Sequence, residues 1–458
     1  MTYQESVRAL FSLGRELAAP QQARVQKFGL ENISILAEAL GQPQRTAPCA
    51  HIAGTNGKGS TAAMLEAILR AARLRTGLYT SPHLERINER IRINGESISD
   101  EDFAGAWSKV HAAIESLMAS GKLAAHPTFF ECVTAMAFLE FAQQTVDFAV
   151  YEVGLGGRLD ATNVVEPEVA ILTPVDFDHE NYLGHSIEEI AAEKAGIIKP
   201  GAWVVSASER LEARGVIAKR CAEMDARLVE VDLAAHLEDV QNQSGSYRAT
   251  VVFTHSHKKI MLAPALPGRF QLRNALTAAV ASRLLAERGF PIRDEAIERG
   301  IASAKWLGRL ERLGTAPDTY LDGAHNPSGA RELLRFWDEN YADRHILLVY
   351  GAMRDKAVDE IAGLLFPRAD AVILTEPRQP RAVSAPLLAE MTSHHAKRVL
   401  IVPDPAEALE TAIKLAGKQS AVFATGSLYL VGDLRAYWGK RPSGPARHAD
   451  GSLPSKTV

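Results

Sequence analysis

A glycine-rich segment at residues 51–61, HIAGTNGKGST, carries the strongest chemical pattern in the sequence. It lies between an apolar stretch and a helical pattern, which places the glycines in a turn from a strand to a helix. Backbone N–H groups in such a turn can surround an anion, and the helix N-terminus adds a favourable dipole. Lys58 would then reach the β- and γ-phosphates of a nucleotide, while Ser60 or Thr61 would contact Mg²⁺.

The spacing of this segment departs from the usual phosphate-loop pattern, G-x-x-x-x-G-K-[ST]. Only two residues separate the first two glycines, and a third glycine follows the lysine. The alternative is a plain glycine turn. Because a lysine, hydroxyls and the strand-to-helix context coincide, we predict that the loop binds ATP. The predicted nucleotide-binding residues of the loop are Gly54, Thr55, Asn56, Gly57, Lys58, Gly59 and Ser60.

Acidic residues and a histidine follow two later apolar strands. Glu152 lies close to the carboxyl end of the strand predicted at 148–153, where ligands collect in an open α/β sheet. A buried carboxylate is unfavourable unless it is paired or holds a cation, so we predict that Glu152 binds Mg²⁺. The alternative is a carboxylate satisfied by backbone amides. Asp178 and His179 follow the strand at 169–173, where His179 could bind metal, orient a phosphate or be purely structural.

Two segments near the end of the chain add charged residues of both signs. GRLE at 308–311 contains Arg309, and LDGAHNPSG at 321–329 places Asp322 and His325 after a predicted strand. Taken singly, each could be a surface or capping residue. Facing a phosphate loop, they would suit an acyl phosphate, whose negative charge needs stabilisation. Lys194, near the end of a predicted helix, would by itself be typical of a surface lysine.

The elements that must position these residues follow an α/β pattern. Helices are predicted at 7–17 and 33–40, and strands alternate with helices from residue 48 onward, which indicates a mainly parallel sheet. Residues 227–266 alternate in polarity and predict a small antiparallel sheet, with His255 and His257 in a solvated turn. Strands at 319–321, 346–350, 371–375, 399–402 and 421–425 predict a second, Rossmann-like domain. We expect domains at 1–303 and 304–440, and a disordered tail at 441–458.

Composition limits the class of protein. The 458 residues carry a net charge of −4, and 47% are apolar, which favours a globular protein that does not bind nucleic acid. No window approaches the ~20 apolar residues of a membrane span. The N-terminus does not resemble a secretory signal, and three widely spaced cysteines form no metal or disulfide pattern. We therefore expect a cytoplasmic protein with no membrane partner.

In their order along the chain, these motifs resemble those of the folylpolyglutamate synthase and dihydrofolate synthase family, a branch of the Mur-ligase superfamily. The resemblance covers most of residues 5–435. It rests on HIAGTNGKGS, SPHL (81–84), PTFFE (127–131), EVGLGGRLDATN (152–163), HENYLG and AAEKAGIIK (179–199), GRF (268–270) with Asn274, WLGRLE (306–311), DGAHNPSG (322–329), GAMRDK (351–356) and TGSLYLVG (425–432).

The resemblance implies a ligand for each position. By this resemblance Ser60, Ser81, Glu152, His179 and Lys194 form two Mg²⁺ sites, with Lys194 carbamylated so that a cation becomes a carboxylate-like ligand. Asn274, Arg309 and Asp322 match nucleotide contacts. Ser81, Asp160 and His325 match substrate positions, and Asp160 is typical of members that also accept dihydropteroate. Catalysis is expected to depend on Lys58, Lys194, Arg309, Asp322 and His325.

The implied activity is an ATP-dependent ligase that adds L-glutamate to dihydropteroate and to folates through an acyl phosphate, acting as a monomer. The narrower possibility is a folylpolyglutamate synthase alone. A switch or motor ATPase, a peptidoglycan-type ligase and a nucleotide-binding scaffold without catalysis would also contain a phosphate loop. A switch ATPase would not need Arg309, Asp322 and His325 on a second domain, and only 47 residues precede the first strand, which leaves little room for a UDP-binding domain.

Overall fold

Strands and helices alternate along the chain in two separate α/β sheets. The computed structural model describes residues 1–14 and 29–441. The strands are β1 Cys49–Ala53, β2 Thr76–Tyr79, β3 Ile91–Ile93, β4 Glu96–Ser97, β5 Phe148–Glu152, β6 Val169–Leu172, β7 Trp203–Ser206, β8 Arg227–Glu230, β9 Ala235–Gln243, β10 Ser246–Phe253, β11 Lys259–Leu262, β12 Glu311–Thr315, β13 Asp318–Leu321, β14 His345–Tyr350, β15 Ala371–Leu374, β16 Val399–Ile401 and β17 Ser420–Thr425.

We number the described α-helices in the same way. They are α1 Tyr3–Ser12, α2 Glu31–Ala39, α3 Lys58–Ala71, α4 Asp100–Ala119, α5 Phe129–Gln143, α6 Glu180–Leu183, α7 Ile187–Ala195, α8 Leu211–Glu223, α9 Val231–Ala234, α10 Phe270–Glu287, α11 Asp294–Ser303, α12 Pro327–Asn340, α13 Val358–Leu365, α14 Ala385–Thr392, α15 Pro405–Leu415 and α16 Leu428–Trp438.

The first sheet has eight strands in the order β4-β3-β2-β5-β1-β6-β7-β8. The strands from β2 to β8 in this order run parallel, and β3 and β4 form an antiparallel edge. Every residue of the central strands β1, β5 and β6 is buried, as expected for a parallel sheet covered on both faces. Helices α3, α10 and α11 contribute to the apolar core on one face, and α4 and α5 to the core on the other.

The predicted small antiparallel sheet is present as β11-β10-β9. It begins later than the pattern indicated, because β8 pairs in parallel with β7 and so belongs to the first sheet. The sheet packs its apolar residues, including Val251 and Ile260, into the same core as α3 and α10.

The second sheet has six strands in the order β12-β13-β17-β14-β15-β16. All but β12 run parallel, and the apolar cores on the two faces include residues of α12 and α13 on one side and α15 and α16 on the other. The predicted combination of a mainly parallel sheet, a small antiparallel sheet and a Rossmann-like second domain is thus confirmed. Strands β2, β3, β4 and β12 were not predicted.

The expected boundary between residues 303 and 304 falls directly after α11, before the first strand of the second sheet, and it remains a prediction. Apart from residue 441, the tail predicted to be disordered lies outside the described residues, as does the end of the helix predicted at 7–17. None of the helices in the described ranges is both long and apolar enough to cross a lipid bilayer. The three cysteines are unpaired and buried.

Candidate active site

The phosphate loop joins the end of β1 to the start of α3, as the sequence predicts. Gly57 immediately precedes α3 with a φ of 85°, and Gly54 has a φ of 148°. A Cβ on Gly57 would collide with the amide oxygen of Asn274, and one on Gly54 would collide with the hydroxyl of Thr173. Both positions therefore require glycine. The loop presents the N-terminus of a 14-residue helix, a favourable place for phosphate groups.

Two lysines meet at this loop. Lys58 Nζ donates to the carbonyl oxygens of Gly54 and Thr55, each at 3.0 Å. Lys194 Nζ, from the last turn of α7, donates to the same carbonyl of Gly54, also at 3.0 Å. Lys194 is only 4% exposed, so it is not the surface lysine that its position in the sequence suggested. Burial lowers the pKa of both amines, that of Lys194 to about 7.

Glu152 ends β5 beside the loop and is 4% exposed. Its Oε2 accepts a hydrogen bond from the backbone N–H of Ser81 at 3.2 Å. Burial raises the pKa of Glu152 to about 7, although the charge of Lys58 opposes the shift. A single backbone donor leaves most of this carboxylate's capacity to accept hydrogen bonds unused, which suits a cation ligand better than a purely structural role.

Asp160 shapes the glycine-rich loop that follows β5. Its Oδ2 accepts from the backbone N–H groups of Gly154 and Leu155, each at 3.0 Å. Its Oδ1 accepts from the backbone N–H and the hydroxyl of Thr162, at 3.0 and 2.5 Å. Four hydrogen bonds from its own loop give Asp160 a structural role, while the residue also lines the cleft.

The loop after β6 reaches the second domain through Asp178. Lys356 Nζ lies 2.6 Å from Asp178 Oδ1, with only 8% and 10% of the two side chains exposed. Asn326 Nδ2 and His325 Nε2 lie 3.1 and 3.5 Å from Oδ2. Burial alone would raise the pKa of Asp178, but the hydrogen bond from His325 and the charge of Lys356 hold it well below the usual range.

His179 lies beside this ion pair. Its Nε2 is 3.2 Å from the amine of Lys356, while its Nδ1 is buried without a hydrogen-bond partner. Burial lowers the pKa of His179 to about 3, so the ring is neutral. A lysine ammonium can only donate, so Nε2 holds the lone pair of this neutral ring and is the nitrogen able to bind a metal, in place of Lys356.

The second domain contributes a fixed carboxylate and a cation. Asp322 follows β13 and accepts from the backbone N–H groups of Leu310 and Ala324, each at 2.9 Å. Burial raises the pKa of Asp322, although the positive charge of Arg309 favours its ionised form. His325 Nδ1 lies 2.8 Å from the carbonyl oxygen of Gly323, which orients the ring toward Asp178.

A series of side chains from α10 reaches the phosphate loop. Asn274 donates to Gln271 at 2.9 Å, and Gln271 Nε2 donates to the hydroxyl of Ser60 at 3.4 Å. Asn274 is thus connected to the phosphate loop through Gln271.

All sixteen predicted site residues line one cavity of about 860 Å³ between the two domains. Three other contributors were not assigned from the sequence. Asn326 and Lys356 make interdomain contacts, and Gln271 holds Ser60. Asn326 precedes a proline, a pattern typical of a helix start, and its side chain does accept from the N–H of Gly329 at 2.8 Å. That pattern indicates a cap and gives no sign of the contact across the domains.

Comparisons with known proteins agree with this geometry. Residues 52–282 match the family model of the Mur ligase middle domain, and residues 308–428 match that of the Mur ligase glutamate ligase domain. A dihydrofolate synthase/folylpolyglutamate synthase of Bacillus subtilis is 35% identical over 412 residues, which cover 89% of this chain and 94% of that protein. The Mycobacterium tuberculosis protein of the same name is 32% identical over 452 residues, covering 90% of each chain.

Solved structures extend the similarity to the whole fold. Mycobacterium tuberculosis folylpolyglutamate synthase complexed with ADP and AMPPCP superposes with a TM-score of 0.85 at 32% identity, covering 95% of this chain and 100% of that one. Escherichia coli FolC in complex with DHPP and ADP gives a TM-score of 0.82 at 29% identity, covering 95% and 97%.

Proposed function

Because this chain belongs to the folylpolyglutamate synthase and dihydrofolate synthase family of Mur ligases, we propose that its cleft joins L-glutamate to dihydropteroate and to the terminal glutamate of folates. The enzyme is an ATP-dependent acid–amino-acid ligase. One observation carries the assignment to this cleft: Lys58 and Glu152 of the first domain face the same cavity as Arg309, Asp322 and His325 of the second. A switch ATPase would not need that convergence.

The reaction divides between the domains. The substrate carboxylate attacks the γ-phosphorus of ATP, giving an acyl phosphate and ADP. The neutral amine of L-glutamate then attacks the acyl carbon, phosphate leaves, and the nitrogen releases one proton as the amide forms. Lys58 and the N–H groups of the phosphate loop bind the triphosphate, and Arg309 stabilises negative charge from the opposite wall. The pairing of Asp178 with Lys356 closes the cleft against water, which would hydrolyse the acyl phosphate.

The residues present fit the Mg²⁺ sites that the family implies. Glu152 is a buried carboxylate with spare capacity, and Nε2 of His179 holds a lone pair that faces the amine of Lys356, whose place a cation could take. We assign Ser60, Ser81, Glu152, His179 and Lys194 as the candidate ligands. When bound, Mg²⁺ neutralises the charge of the phosphates.

We further propose carbamylation of Lys194. The reaction joins the neutral amine to CO₂ and releases one proton, giving a carbamate. The burial of Lys194 beside the loop supports this assignment, because a buried cation there is unfavourable and a carboxylate-like group would match a nearby metal. Intact-protein mass measured under CO₂ at neutral pH, against Lys194→Ala, tests the modification.

A product assay tests the two substrates. The enzyme is incubated with ATP, L-glutamate and either dihydropteroate or tetrahydrofolate, and products are weighed by mass spectrometry. The addition of one glutamate to each substrate is expected. If only tetrahydrofolate gains a glutamate, the enzyme is restricted to folylpolyglutamate synthesis. ATP hydrolysis that is independent of both acceptors would contradict a ligase.

The domain limits 1–303 and 304–440, the monomeric state and the cytoplasmic location also stay proposals. Light scattering tests whether the protein is a monomer.

A further inference from the structure

A second group of metal-binding side chains lies away from the cleft, on α4 and the loop before α5. His111 and Glu115 are one helical turn apart on α4, so they share a face, and His126 in the loop folds back toward them. One potential ligand atom from each of the three residues lies within 4.8 Å of the others. We propose that His111, Glu115 and His126 bind a divalent transition-metal ion of the Zn²⁺ type.

The ligand set matches that class of ion. Two imidazoles and one carboxylate, with a fourth position open to water, form a frequent Zn²⁺ arrangement. Around a tetrahedral ion the ligand atoms lie roughly 3.4 Å apart, given bonds of about 2.0–2.1 Å. The separations between ligand atoms therefore need to shorten by at most about 1.4 Å. Glu115 can supply this movement because its side chain is 65% exposed.

The histidines are already oriented for binding. Nδ1 of His126 lies 2.8 Å from the carbonyl oxygen of Pro127, so this nitrogen carries the proton and Nε2 keeps its lone pair. The ring of His111 stacks on Trp107, with centroids 5.2 Å apart and planes at 9°. Nδ1 of His111 is buried without a hydrogen-bond partner and lies 3.9 Å from Glu115 Oε1, too far for a hydrogen bond.

A comparable group elsewhere makes a useful contrast. Asp359, His394 and His395 also come close together, but both histidines already approach the same carboxylate oxygen, at 3.7 and 3.0 Å. Direct ion pairing accounts for that group. In the group on α4, His111 approaches Glu115 only to 3.9 Å, and His126 instead contacts the carbonyl oxygen of Pro127, so no hydrogen bond joins these three side chains.

Metal binding would connect the loop at 120–128 to α4. Leu123 and Pro127 of this loop are buried. The Thr128 hydroxyl caps α5 by accepting a hydrogen bond from the backbone N–H of Glu131. Thr128, Phe129 and Phe130 line the cleft, so the ion would lie behind one wall of the active site. Its role would be to stabilise that wall.

Zinc titration of the full-length protein tests the site. The protein is treated with EDTA, freed of chelator and titrated with ZnCl₂ by calorimetry in excess Mg²⁺. Compared with wild type, His126→Ala and Glu115→Gln should each lose one Zn²⁺ site or weaken it roughly tenfold or more. The matched control, the double variant His394→Ala/His395→Ala, should bind as wild type does. Unchanged stoichiometry and affinity in His126→Ala and Glu115→Gln would overturn the proposal, as would loss only in the control.

Two further readouts exclude misfolding as the cause. In EDTA, all variants should unfold at the wild-type temperature. Added Zn²⁺ should raise the melting temperature of wild type but not that of His126→Ala or Glu115→Gln. With Co²⁺ as the probe, visible ligand-field absorption should appear in wild type and be absent in Glu115→Gln and His126→Ala. Identical Co²⁺ spectra in wild type and both variants would contradict the assignment. Ligase activity with Mg²⁺ after EDTA treatment should be retained in Glu115→Gln, which separates this site from the proposed active site.

Discussion

Asn56 in the phosphate loop and Asn326 at the start of α12 exchange two hydrogen bonds across the two domains. Asn56 Nδ2 donates to Asn326 Oδ1 at 3.2 Å, and Asn326 Nδ2 donates to Asn56 Oδ1 at 3.0 Å. The same Oδ1 of Asn326 caps α12, and its Nδ2 also reaches Asp178 at 3.1 Å. The position of the second domain is thus connected directly to the loop that we assign to ATP.

Loss of this amide pair should slow ligation. Two hydrogen bonds of about 0.5–1.5 kcal/mol each predict that Asn56→Ala lowers kcat/KM for glutamate addition roughly 5- to 150-fold. The pair forms only when the domains meet, so global stability should change little. Steady-state kinetics and urea unfolding measure the two effects.

Asn326→Ser provides the matched control for the helix cap. Serine can still cap α12 but loses both amide hydrogen bonds to Asn56 and the one to Asp178, so Asn326→Ser should slow ligation at least as much as Asn56→Ala. Asn326→Ala also removes the cap and should unfold about 1 kcal/mol more easily. In a double-mutant cycle, additive effects of Asn56→Ala and Asn326→Ser would mean that the two residues act independently.

The ion pair of Asp178 and Lys356 should matter more than a surface pair between the same domains. Lys356→Met leaves a buried carboxylate without its cation, a change that disfavours the closed cleft by several kcal/mol. We expect kcat to fall on the order of 100-fold or more. Domain separation, which hydrates Asp178, should appear as a larger radius of gyration in X-ray scattering with AMPPCP bound.

Arg435 supplies the comparison. It bridges Glu311 of its own domain and Glu85 of the first domain at 2.9 and 2.5 Å, with 17–31% of the three side chains exposed. These side chains are half-buried and better hydrated than Asp178 and Lys356, so the contribution should lie nearer the roughly 0–1 kcal/mol of exposed pairs, and Arg435→Met should change kcat less than about fivefold. Equal loss in both variants would show that domain closure depends on the number of ion pairs rather than on burial.

The sequence indicated which residues meet in the cleft better than it indicated the contacts that close it. Glycine spacing and the charged residues after strands identify the phosphate loop, Glu152 and Asp322, because these signals are local. Asn56 and Asn326 are 270 positions apart, so no local pattern can indicate their pairing. Lys194 looked like a surface residue for the same reason: its acceptor, Gly54, lies 140 positions away.

The missed strands also depend on tertiary contacts. Gly77 lies within β2, where glycine is usually unfavourable, but the ring of Phe141 occupies the space that a Cβ would take. The strand is therefore stabilised by α5, not by its own propensity. The longer apolar strands, such as β5 and β14, can be predicted from their own residues.

Substitution of Gly57 should weaken nucleotide binding. Its positive φ and the contact with Asn274 Oδ1 both exclude a Cβ, so Gly57→Ala must displace the loop or α10. We expect ADP affinity to fall at least roughly tenfold, about 1.4 kcal/mol, in calorimetry. The matched control is Gly215→Ala in α8, where no atom lies within 4 Å of the added Cβ. That variant should gain about 0.5–1 kcal/mol of stability with unchanged affinity, and equal loss of affinity in both would contradict the role of Gly57.

Stability should fall below pH 6.5 because of His51. This residue of β1 is fully buried, its Nε2 lies 2.8 Å from the hydroxyl of Thr162, and its Nδ1 has no partner. Thr162 donates its proton to Asp160, so Nε2 of His51 must donate to Thr162.

Burial, together with the charge of Lys199, lowers the pKa of His51 to about 3 in the folded protein, against 6.5 for an ordinary histidine. The unfolded chain therefore binds the extra proton first, and stability present above pH 6.5 is lost as the pH falls toward 3. The contribution of His51 between pH 7 and pH 5 is about 2 kcal/mol. Urea unfolding at the two pH values should show at least this difference in wild type and in the exposed-turn control His255→Gln, and a difference about 2 kcal/mol smaller in His51→Gln. If His51→Gln retains the full pH dependence, the acid sensitivity belongs to another group.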